Sequence, residues 1–347
     1  MMQVMIVVII AGGSGTRLWP LSTPDYPKHL LKIDGDQRSL LQHTYDRASQ
    51  VAKSVYVVSD SSHIQHVKAQ LKELSEDAFI VEPARRGTAN CIITALVQIQ
   101  KNHEDSEPVA FIHADHYIRD SAGFVNSLHV ANQKTTDLDQ IVLIGVEPDY
   151  PATGFGYIKK GELIDKNSLV YNVERFEEKP NFPIARTYSQ SGDYLWNCGY
   201  FVGSVATFVQ KMKTYAPNLY TNYQRLLSAE SSQYQETYLE LASDAIDYAL
   251  IEKVEDLLVI PASFDWIDLG SFGDLHKAVG GDEQGNYIHG LIKVDEVENS
   301  LLQNFEDKPV AVIGLDNIVV INTPQGILVA RKDLAQKVGD VSKQFKT

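Results

Sequence analysis

Short, continuously apolar runs alternate with longer amphipathic stretches over the first half of the chain. The first run, 4–10, is rich in Val and Ile, which is typical of a strand covered by helices on both faces. Helical spacing of apolar residues predicts helices over 40–51, 61–74 and 88–100, the first of them opened by a capping box at Ser39. Further strands are predicted at 55–58, 79–81, 109–112 and 141–146. This alternation predicts a Rossmann-like, doubly wound α/β fold with a mixed, mostly parallel sheet.

After about residue 150 the alternation loosens, and beyond Gly285 closely spaced strands follow one another without helices between them. The turn signals at 280–282 indicate a boundary, so we expect a large α/β domain over 1–280 and a small β-rich domain over 285–347. We expect the small domain to end in a helix over 332–345, and to pack on the large one or mediate a homodimer. The segments predicted here are strands at 170–176, 195–202, 291–294, 310–313, 318–321 and 327–329, and helices at 205–215 and 245–254.

The 347 residues include 45 acidic and 31 basic side chains, a net charge of −14 with histidine neutral. Such a surface repels polyphosphate backbones and anionic lipid headgroups, so neither a nucleic acid nor a membrane is expected as a partner. Two cysteines, Cys91 and Cys198, are too few for a disulfide framework, and the apolar N-terminal stretch is only about eight residues long. We expect a cytoplasmic protein that captures phosphate through local positive charge.

A glycine-rich turn over residues 11–20 directly follows the first predicted strand. Because glycine lacks a Cβ, backbone N–H groups of such a turn approach phosphate oxygens closely. A Rossmann dinucleotide loop would place a third glycine at Leu18 and a helix where three prolines stand, and a Walker loop would need a Gly-Lys-Ser/Thr that is absent. Two interpretations remain: an ordinary turn, or a loop that wraps a nucleoside triphosphate while Arg17 and Lys28 neutralise its phosphates.

Several motifs in a fixed order resemble those of sugar-nucleotide pyrophosphorylases, and within them of bacterial mannose-1-phosphate guanylyltransferases. The resemblance begins with Gly-Gly-x-Gly-x-Arg-Leu-Trp-Pro-Leu-Ser at 12–22 and extends over nearly the whole chain. It departs from the family pattern at His29, where members usually carry Gln, and at Gly87 and Asn90. The other matching motifs include Tyr26-Pro27-Lys28, Glu82-Pro83, His113-Ala114-Asp115-His116, Gly145-Val146-Glu147-Pro148, Pro151-x-Thr153-Gly154-Phe155-Gly156-Tyr157-Ile158, Phe176-Glu177-Glu178-Lys179-Pro180, Trp196-Asn197-x-Gly199, Ile246-Asp247-Tyr248-Ala249 and Trp266-x-Asp268-x-Gly270-Ser271.

This resemblance implies a fold of the nucleotide-diphospho-sugar transferase type and a nucleotidyl transfer in which mannose 1-phosphate and GTP give GDP-mannose and pyrophosphate. Positioning and charge neutralisation dominate such a reaction, and the sugar phosphate is already an anion, so no general base is required. Glu82 is the implied reader of guanine, since a carboxylate accepts from both N1–H and the 2-amino group. The implied nucleotide-binding residues are Ala11, Gly12, Gly13, Ser14, Gly15, Thr16, Arg17, Lys28, Glu82, Thr88 and Asn90.

Two aspartates are implied as ligands of a Mg²⁺ cofactor. Asp115 ends a predicted strand, and Asp268 occupies a second such position. Mg²⁺ takes hard oxygen ligands from one or two carboxylates and from substrate phosphates. With Arg17 and Lys28, the two aspartates would form the catalytic centre. Taken alone, Asp115 is also typical of a helix cap or turn, and the histidines that flank it lack the further ligands of a zinc site.

For the sugar phosphate, the resemblance implies a site formed by Gly156, Glu178, Lys179 and Asn197. Lys179 would pair with the phosphate, Glu178 and Asn197 would bind hydroxyls, and Gly156 would let the backbone approach the ring. Without this context, the Glu178–Lys179 pair is more typical of a solvated surface ion pair.

Other functions fit parts of the pattern. The departures at Gly87 and Asn90 favour the same reaction with another sugar 1-phosphate or another triphosphate. A non-catalytic regulatory subunit that senses a nucleotide sugar would be expected to lose phosphate cations or metal ligands, whereas all of them are present. The prolines after the glycine loop disfavour a Rossmann oxidoreductase. The isomerase domain of some family members is not expected in a chain that stops at Thr347.

Overall fold

A mixed sheet forms the centre of the protein, whose computed structural model describes residues 5–13, 15–33, 35 and 37–345. The strands before residue 280 are β1 (Met5–Ile10), β2 (Ala52–Asp60), β3 (Phe79–Glu82), β4 (Pro108–His113), β5 (His116–Tyr117), β6 (Val142–Val146), β7 (Tyr157–Asp165), β8 (Val170–Glu177), β9 (Tyr194–Ser204), β10 (Leu258–Pro261) and β11 (Ile267–Asp268). Nine of the described strands join in the order β3-β2-β1-β4-β9-β6-β10-β8-β7, while β5 and β11 pair with each other. Seven of these nine strands point the same way and β8 and β9 run against them, so the sheet is mixed with most strands parallel in direction, which confirms the predicted fold class.

Helices cover both faces of this sheet, and strand β1 shows why its sequence is apolar throughout. Ile6 and Val8 point into one hydrophobic core, whereas Val7 and Ile9 point into the other, and all four are fully buried. The helices are α1 (Leu40–Ala48), α2 (Ile64–Gln70), α3 (Gly87–Ile99), α4 (Ser121–Leu138), α5 (Phe182–Ser191), α6 (Val205–Tyr215), α7 (Pro217–Ser228), α8 (Tyr234–Leu239), α9 (Ile246–Ala249), α10 (Phe272–Val279) and α11 (Val338–Ser342), with 3₁₀ turns at Thr16–Leu18, Lys28–Leu30, Glu76–Ala78, Ile251–Lys253 and Lys332–Lys337. None of the helices in the described part of the chain combines the length and the hydropathy needed to cross a lipid bilayer.

The hydrophobic pattern alone does not reveal every helix. The pattern does not predict helix α4, because this helix buries only a narrow stripe of side chains along its length. Its stability depends on packing against β6 and β9 and on its N-terminal cap. The Asp120 carboxylate accepts a hydrogen bond from the Gly123 backbone N–H at 2.9 Å and so opens this helix. The predicted C-terminal helix over 332–345 is instead a 3₁₀ turn followed by the short α11.

The C-terminal residues form a separate β-rich layer that packs on the α/β part. Its strands are β12 (Tyr287–His289), β13 (Ile292–Asp295), β14 (Leu301–Asn304), β15 (Val310–Ile313), β16 (Ile318–Thr323) and β17 (Gly326–Arg331). Strands β12, β14 and β16 pair in parallel, β17 closes this sheet in the antiparallel sense, and β13 pairs with β15. Leu301, Ile321 and Val338 share one buried cluster with Leu18 and Trp19, which follow the glycine loop. The layer therefore lies directly against the segment in which the sequence predicts the nucleotide site.

The segment with the two departures from the family motif is held tightly by the chain before α9. Asn90 donates both amide hydrogens, one to the Arg86 carbonyl at 2.6 Å and one to the Ala242 carbonyl at 2.8 Å. Gly87 has φ +79, and a Cβ there would lie 2.1 Å from the Asp244 carbonyl oxygen. Only glycine fits such a close backbone contact in this conformation. Packing against residues 242–244 thus accounts for both departures.

Replacing Gly87 with alanine is expected to lower the free energy of unfolding by roughly 3 kcal/mol, because the new methyl group collides with fixed backbone. Gly192→Ala is the matched control, since Gly192 has φ +75 but no atom within 4 Å of its Cβ position. Backbone strain alone should cost about 1 kcal/mol there. Urea unfolding compares the two variants, and equal losses would show that the Gly87 contact relaxes without cost.

Candidate active site

The glycine-rich loop leaves the carboxyl end of β1, which lies between the parallel strands β2 and β4. Ligands of doubly wound folds bind at this edge of the sheet. Gly15 has φ +61, and its Cβ position lies 2.6 Å from the backbone nitrogen of Lys28, so a glycine is needed for this close approach. The loop and its neighbours enclose a cavity of about 270 Å³ lined by Gly12, Gly13, Gly15, Thr16, Arg17, Lys28, His29, Asp115 and Leu269. Of the other predicted loop residues, Ala11 is buried and Ser14 lies outside the described residues.

A buried ammonium joins the two predicted metal ligands. Lys28 Nζ lies 2.9 Å from Asp115 Oδ2 and 2.7 Å from Asp268 Oδ1. The short strands β5 and β11 bring the aspartates together, because their pairing sets Asp268 opposite His116. Three segments that are distant in sequence thus meet at one point on the cavity wall.

The charges in this cluster stabilise one another against burial. Burial disfavours the Lys28 ammonium, but the Asp115 and Asp268 carboxylates outweigh it and raise the pKa of Lys28. Burial likewise opposes ionisation of Asp115, yet the Lys28 charge prevails and holds the pKa of that carboxyl well below its usual range. The same balance lowers the pKa of Asp268. The cluster is therefore an ionised carboxylate–ammonium–carboxylate arrangement at neutral pH.

Two histidines beside the cluster stay neutral. Burial lowers the pKa of His29 and of His116 to about 4. The ring of His116 contacts Tyr200, with Nδ1 3.1 Å from the phenolic oxygen, and also packs against Trp266. His29 forms part of the cavity wall, a position that the sequence marks only as a departure from the family pattern. The described residues offer no group of three or more His, Cys, Asp or Glu side chains that would hold a metal ion by themselves.

Glu82, predicted to read the nucleobase, lies in a buried network and not on the wall of the loop cavity. Its carboxylate accepts a hydrogen bond from the Tyr238 hydroxyl, and burial raises the pKa of Glu82 to about 7. Thr88 Oγ1 accepts from the Ile246 backbone N–H at 3.0 Å, so this hydroxyl ties α3 to α9. The nucleotide-binding roles of Glu82, Thr88 and Asn90 stay predictions.

The four predicted sugar-phosphate residues lie together: Gly156 precedes β7, Glu178 and Lys179 follow β8, and Asn197 lies within β9. The Cβ position of Gly156 is 2.4 Å from Glu178 Oε2 and 3.3 Å from Asn197 Cβ. Lys179 Nζ lies 2.6 Å from Glu178 Oε1. Asn197 Nδ2 donates to Asp247 at 2.7 Å, which adds a carboxylate that we did not predict, although the Ile246-Asp247-Tyr248-Ala249 motif marks its position.

A second, aromatic cavity adjoins the charge cluster. It has a volume of about 220 Å³, and its walls include Tyr150, Phe155, Trp196 and Trp266. The indole nitrogens of Trp196 and Trp266 are buried, and neither has a hydrogen-bond partner among the described residues. Asp268 lines this cavity, whereas the next residue lines the loop cavity, so the chain passes between the two cavities at the charge cluster.

The geometry of this site defines a class of protein. Three glycines and two cations line a cavity at the carboxyl ends of parallel strands, and paired carboxylates lie beside them. This arrangement suits the joint binding of a polyphosphate and a divalent cation in a nucleotide-processing α/β protein.

Comparison with known families shows which kind of nucleotide-processing protein this is. A family model described as nucleotidyl transferase matches residues 6–285, and one described as MannoseP isomerase/GMP-like beta-helix domain matches residues 292–345. The chain belongs to the nucleotidyl transferase family, and within it groups with mannose-1-phosphate guanylyltransferases.

Named relatives are similar over nearly the whole chain. The mannose-1-phosphate guanylyltransferase of Escherichia coli K12 is 32% identical over 98% of this chain and 73% of its own length, and that of Klebsiella pneumoniae is 34% identical over 96% and 72%. The xanthan biosynthesis protein XanB of Xanthomonas campestris is 34% identical over 100% and 74%. A crystal structure described as mannose-1-phosphate geranyltransferase from Thermus thermophilus has a TM-score of 0.88 at 27% identity and covers 99% of both chains. The protein is thus an enzyme of the nucleotidyltransferase class.

The buried Glu82 carboxyl makes stability depend on pH. Its pKa is about 7 in the folded protein against an ordinary value of 4.5, so its ionisation destabilises the fold as the pH rises from 4.5 through 7. Glu82→Gln should remove this loss, which is on the order of 3 kcal/mol by pH 8. Urea unfolding at a series of pH values measures it.

Glu236→Gln, an exposed carboxylate substitution on the helix of Tyr238, serves as the control and should leave the pH profile unchanged. Parallel stability profiles of wild type and Glu82→Gln over pH 4.5 to 8 would contradict the raised pKa.

Proposed function

We propose that this enzyme transfers the guanylyl group of GTP to α-D-mannose 1-phosphate, forming GDP-mannose and pyrophosphate, with Mg²⁺ as its metal ion. The observation that carries the proposal is the contact of Lys28 with Asp115 and Asp268 at the wall of a glycine-loop cavity. The names of relatives that match nearly the whole chain support guanine as the base and mannose as the sugar.

In the proposed reaction, a phosphate oxygen of mannose 1-phosphate forms a bond to the α-phosphorus of GTP. The bond from that phosphorus to the oxygen bridging to the β-phosphate breaks, and pyrophosphate leaves. Such a transfer depends mainly on positioning and on charge neutralisation. Arg17 and Lys28 line the cavity and supply positive charge for the triphosphate and the departing pyrophosphate. The sugar phosphate is an anion at neutral pH, so no side chain has to deprotonate it.

Asp115 and Asp268 fit a divalent metal ion, because both carboxylates face one point where the structure places the Lys28 ammonium. Mg²⁺ is commonly held by one or two carboxylates, with its remaining ligands supplied by phosphates and water. Nucleotidyl transferases generally use a divalent metal ion. When bound, the ion would neutralise charge on the phosphate oxygens. The aspartates would hold it, while Lys28 and Arg17 bind the phosphates.

The cluster around Asn197 suits the sugar phosphate. Glu178 is nearly buried and offers carboxylate oxygens for sugar hydroxyls, and Oε2 has no hydrogen-bond partner among the described residues. Lys179 is half exposed, so the energy of its present ion pair with Glu178 is small and a substrate phosphate can replace that carboxylate. Asp247 orients the Asn197 amide by accepting one of its hydrogens.

The reaction is tested by pyrophosphate release from purified protein with GTP, ATP, UTP and CTP, each paired with mannose 1-phosphate or glucose 1-phosphate. We expect GTP with mannose 1-phosphate to exceed every other pair by at least about tenfold in kcat/KM, which corresponds to about 1.4 kcal/mol. No pyrophosphate from any pair would overturn the proposal, and a smaller preference would point to a broader substrate range.

Asp115→Asn should reduce turnover on the order of 100-fold or more, because a neutral amide neither pairs with Lys28 nor holds a metal ion as a carboxylate does. Asp256→Asn, which removes a carboxylate from a partly buried ion pair with Lys211 outside both cavities, is the control and should retain full activity. The steady-state rate and the urea midpoint are measured for both. A fully active Asp115→Asn enzyme would contradict the assigned centre.

A further inference from the structure

The Arg17 side chain lies between two glycines from different parts of the chain. Its Cγ is 3.2 Å from the Cβ position of Gly339 in helix α11. Its Nη1 is 3.2 Å from the Cβ position of Gly270, next to the charge cluster. A larger residue at either position would occupy space that Arg17 now uses. Helix α11 therefore limits where the stem of Arg17 lies, and Gly270 limits where the guanidinium lies.

The residues on either side of Arg17 also contact the C-terminal domain. The ring of Trp19 stacks on Phe345 with a centroid distance of 4.8 Å. Trp19 also contacts Gly326 at the start of β17, whose Cβ position is 2.8 Å from Trp19 Cζ2. Ser342 Oγ lies 3.5 Å from the Thr16 carbonyl oxygen. The C-terminal domain thus holds the end of the glycine loop at several points, all near residues that line the nucleotide cavity.

We propose that the C-terminal domain positions the triphosphate-binding loop, with Gly339 as the positioning residue for Arg17. This inference rests on the proposed function, since it assigns the domain to the GTP side of the site. The sugar-phosphate cluster of Gly156, Glu178 and Asn197 does not share these contacts. Substitutions at Gly339 therefore weaken the binding of GTP and leave the binding of mannose 1-phosphate unaltered.

Gly339→Ala separates positioning from a purely structural role. Alanine is a better helix former than glycine, so the substitution favours α11 itself. The same methyl group displaces the Arg17 stem by a few tenths of an ångström, because 3.2 Å is too close for an unstrained carbon contact. The substitution should consequently weaken GTP binding without lowering the stability of the protein.

We expect Gly339→Ala to raise the KM for GTP about fivefold, with the KM for mannose 1-phosphate within twofold of wild type and a thermal midpoint equal or higher. Gly273→Ala is the matched control, since Gly273 also lies in a helix but has only an ordinary 3.5 Å neighbour. It should leave both KM values unchanged. An unchanged KM for GTP in Gly339→Ala, or an equal rise for both substrates, would overturn the inference.

A double-mutant cycle identifies the residue through which Gly339 acts. In an Arg17→Ala background, Gly339→Ala should produce no further rise in the KM for GTP, whereas an independent effect of the same size would overturn the assignment to Arg17. If wild type releases no pyrophosphate from GTP and mannose 1-phosphate, the proposed function fails. The dissociation constant for GTP then tests the role of Gly339. It should be higher for Gly339→Ala than for wild type and Gly273→Ala, and equal values would overturn that role.

Discussion

The site depends on one ion triplet, in which the buried Lys28 ammonium lies between the partly exposed carboxylates of Asp115 and Asp268. A buried charge without a partner costs several kcal/mol, so the Lys28 ammonium depends on these two carboxylates. Together they fix the relative positions of the 3₁₀ turn that begins at Lys28, the turn between β4 and β5, and strand β11. The sheet brings these segments to one edge, and the triplet sets how closely they meet.

The local arrangement of charges explains how an acidic protein can bind phosphate groups. The net charge of −14 describes the surface as a whole, whereas the cavity has Arg17 and Lys28 among its walls. These charges are together before substrate binds, and in the proposed reaction the Lys28 ammonium passes from the carboxylates to a phosphate. Bringing these charges together costs free energy, which packing in the rest of the fold offsets. That packing includes the C-terminal layer against Leu18 and Trp19.

Strand ends and motif order were enough to predict the fold class and the residues that meet in the triplet. The contact that joins them was not predictable, because β5 and β11 are two residues long and have no hydrophobic period to detect. Pairing over long sequence distances also hid the Tyr238 partner of Glu82 and the Asp247 partner of Asn197. Short motifs thus indicated which residue types matter, while their partners depended on tertiary packing.

Metal binding by Asp115 and Asp268 is tested most directly by the position of a metal ion in crystals grown with GTP and Mn²⁺, located by anomalous scattering. We expect one Mn²⁺ bound by the carboxylates of Asp115 and Asp268, with the Lys28 ammonium on a phosphate oxygen. A Mn²⁺ bound elsewhere, with Lys28 still paired to both aspartates in the GTP complex, would contradict this assignment.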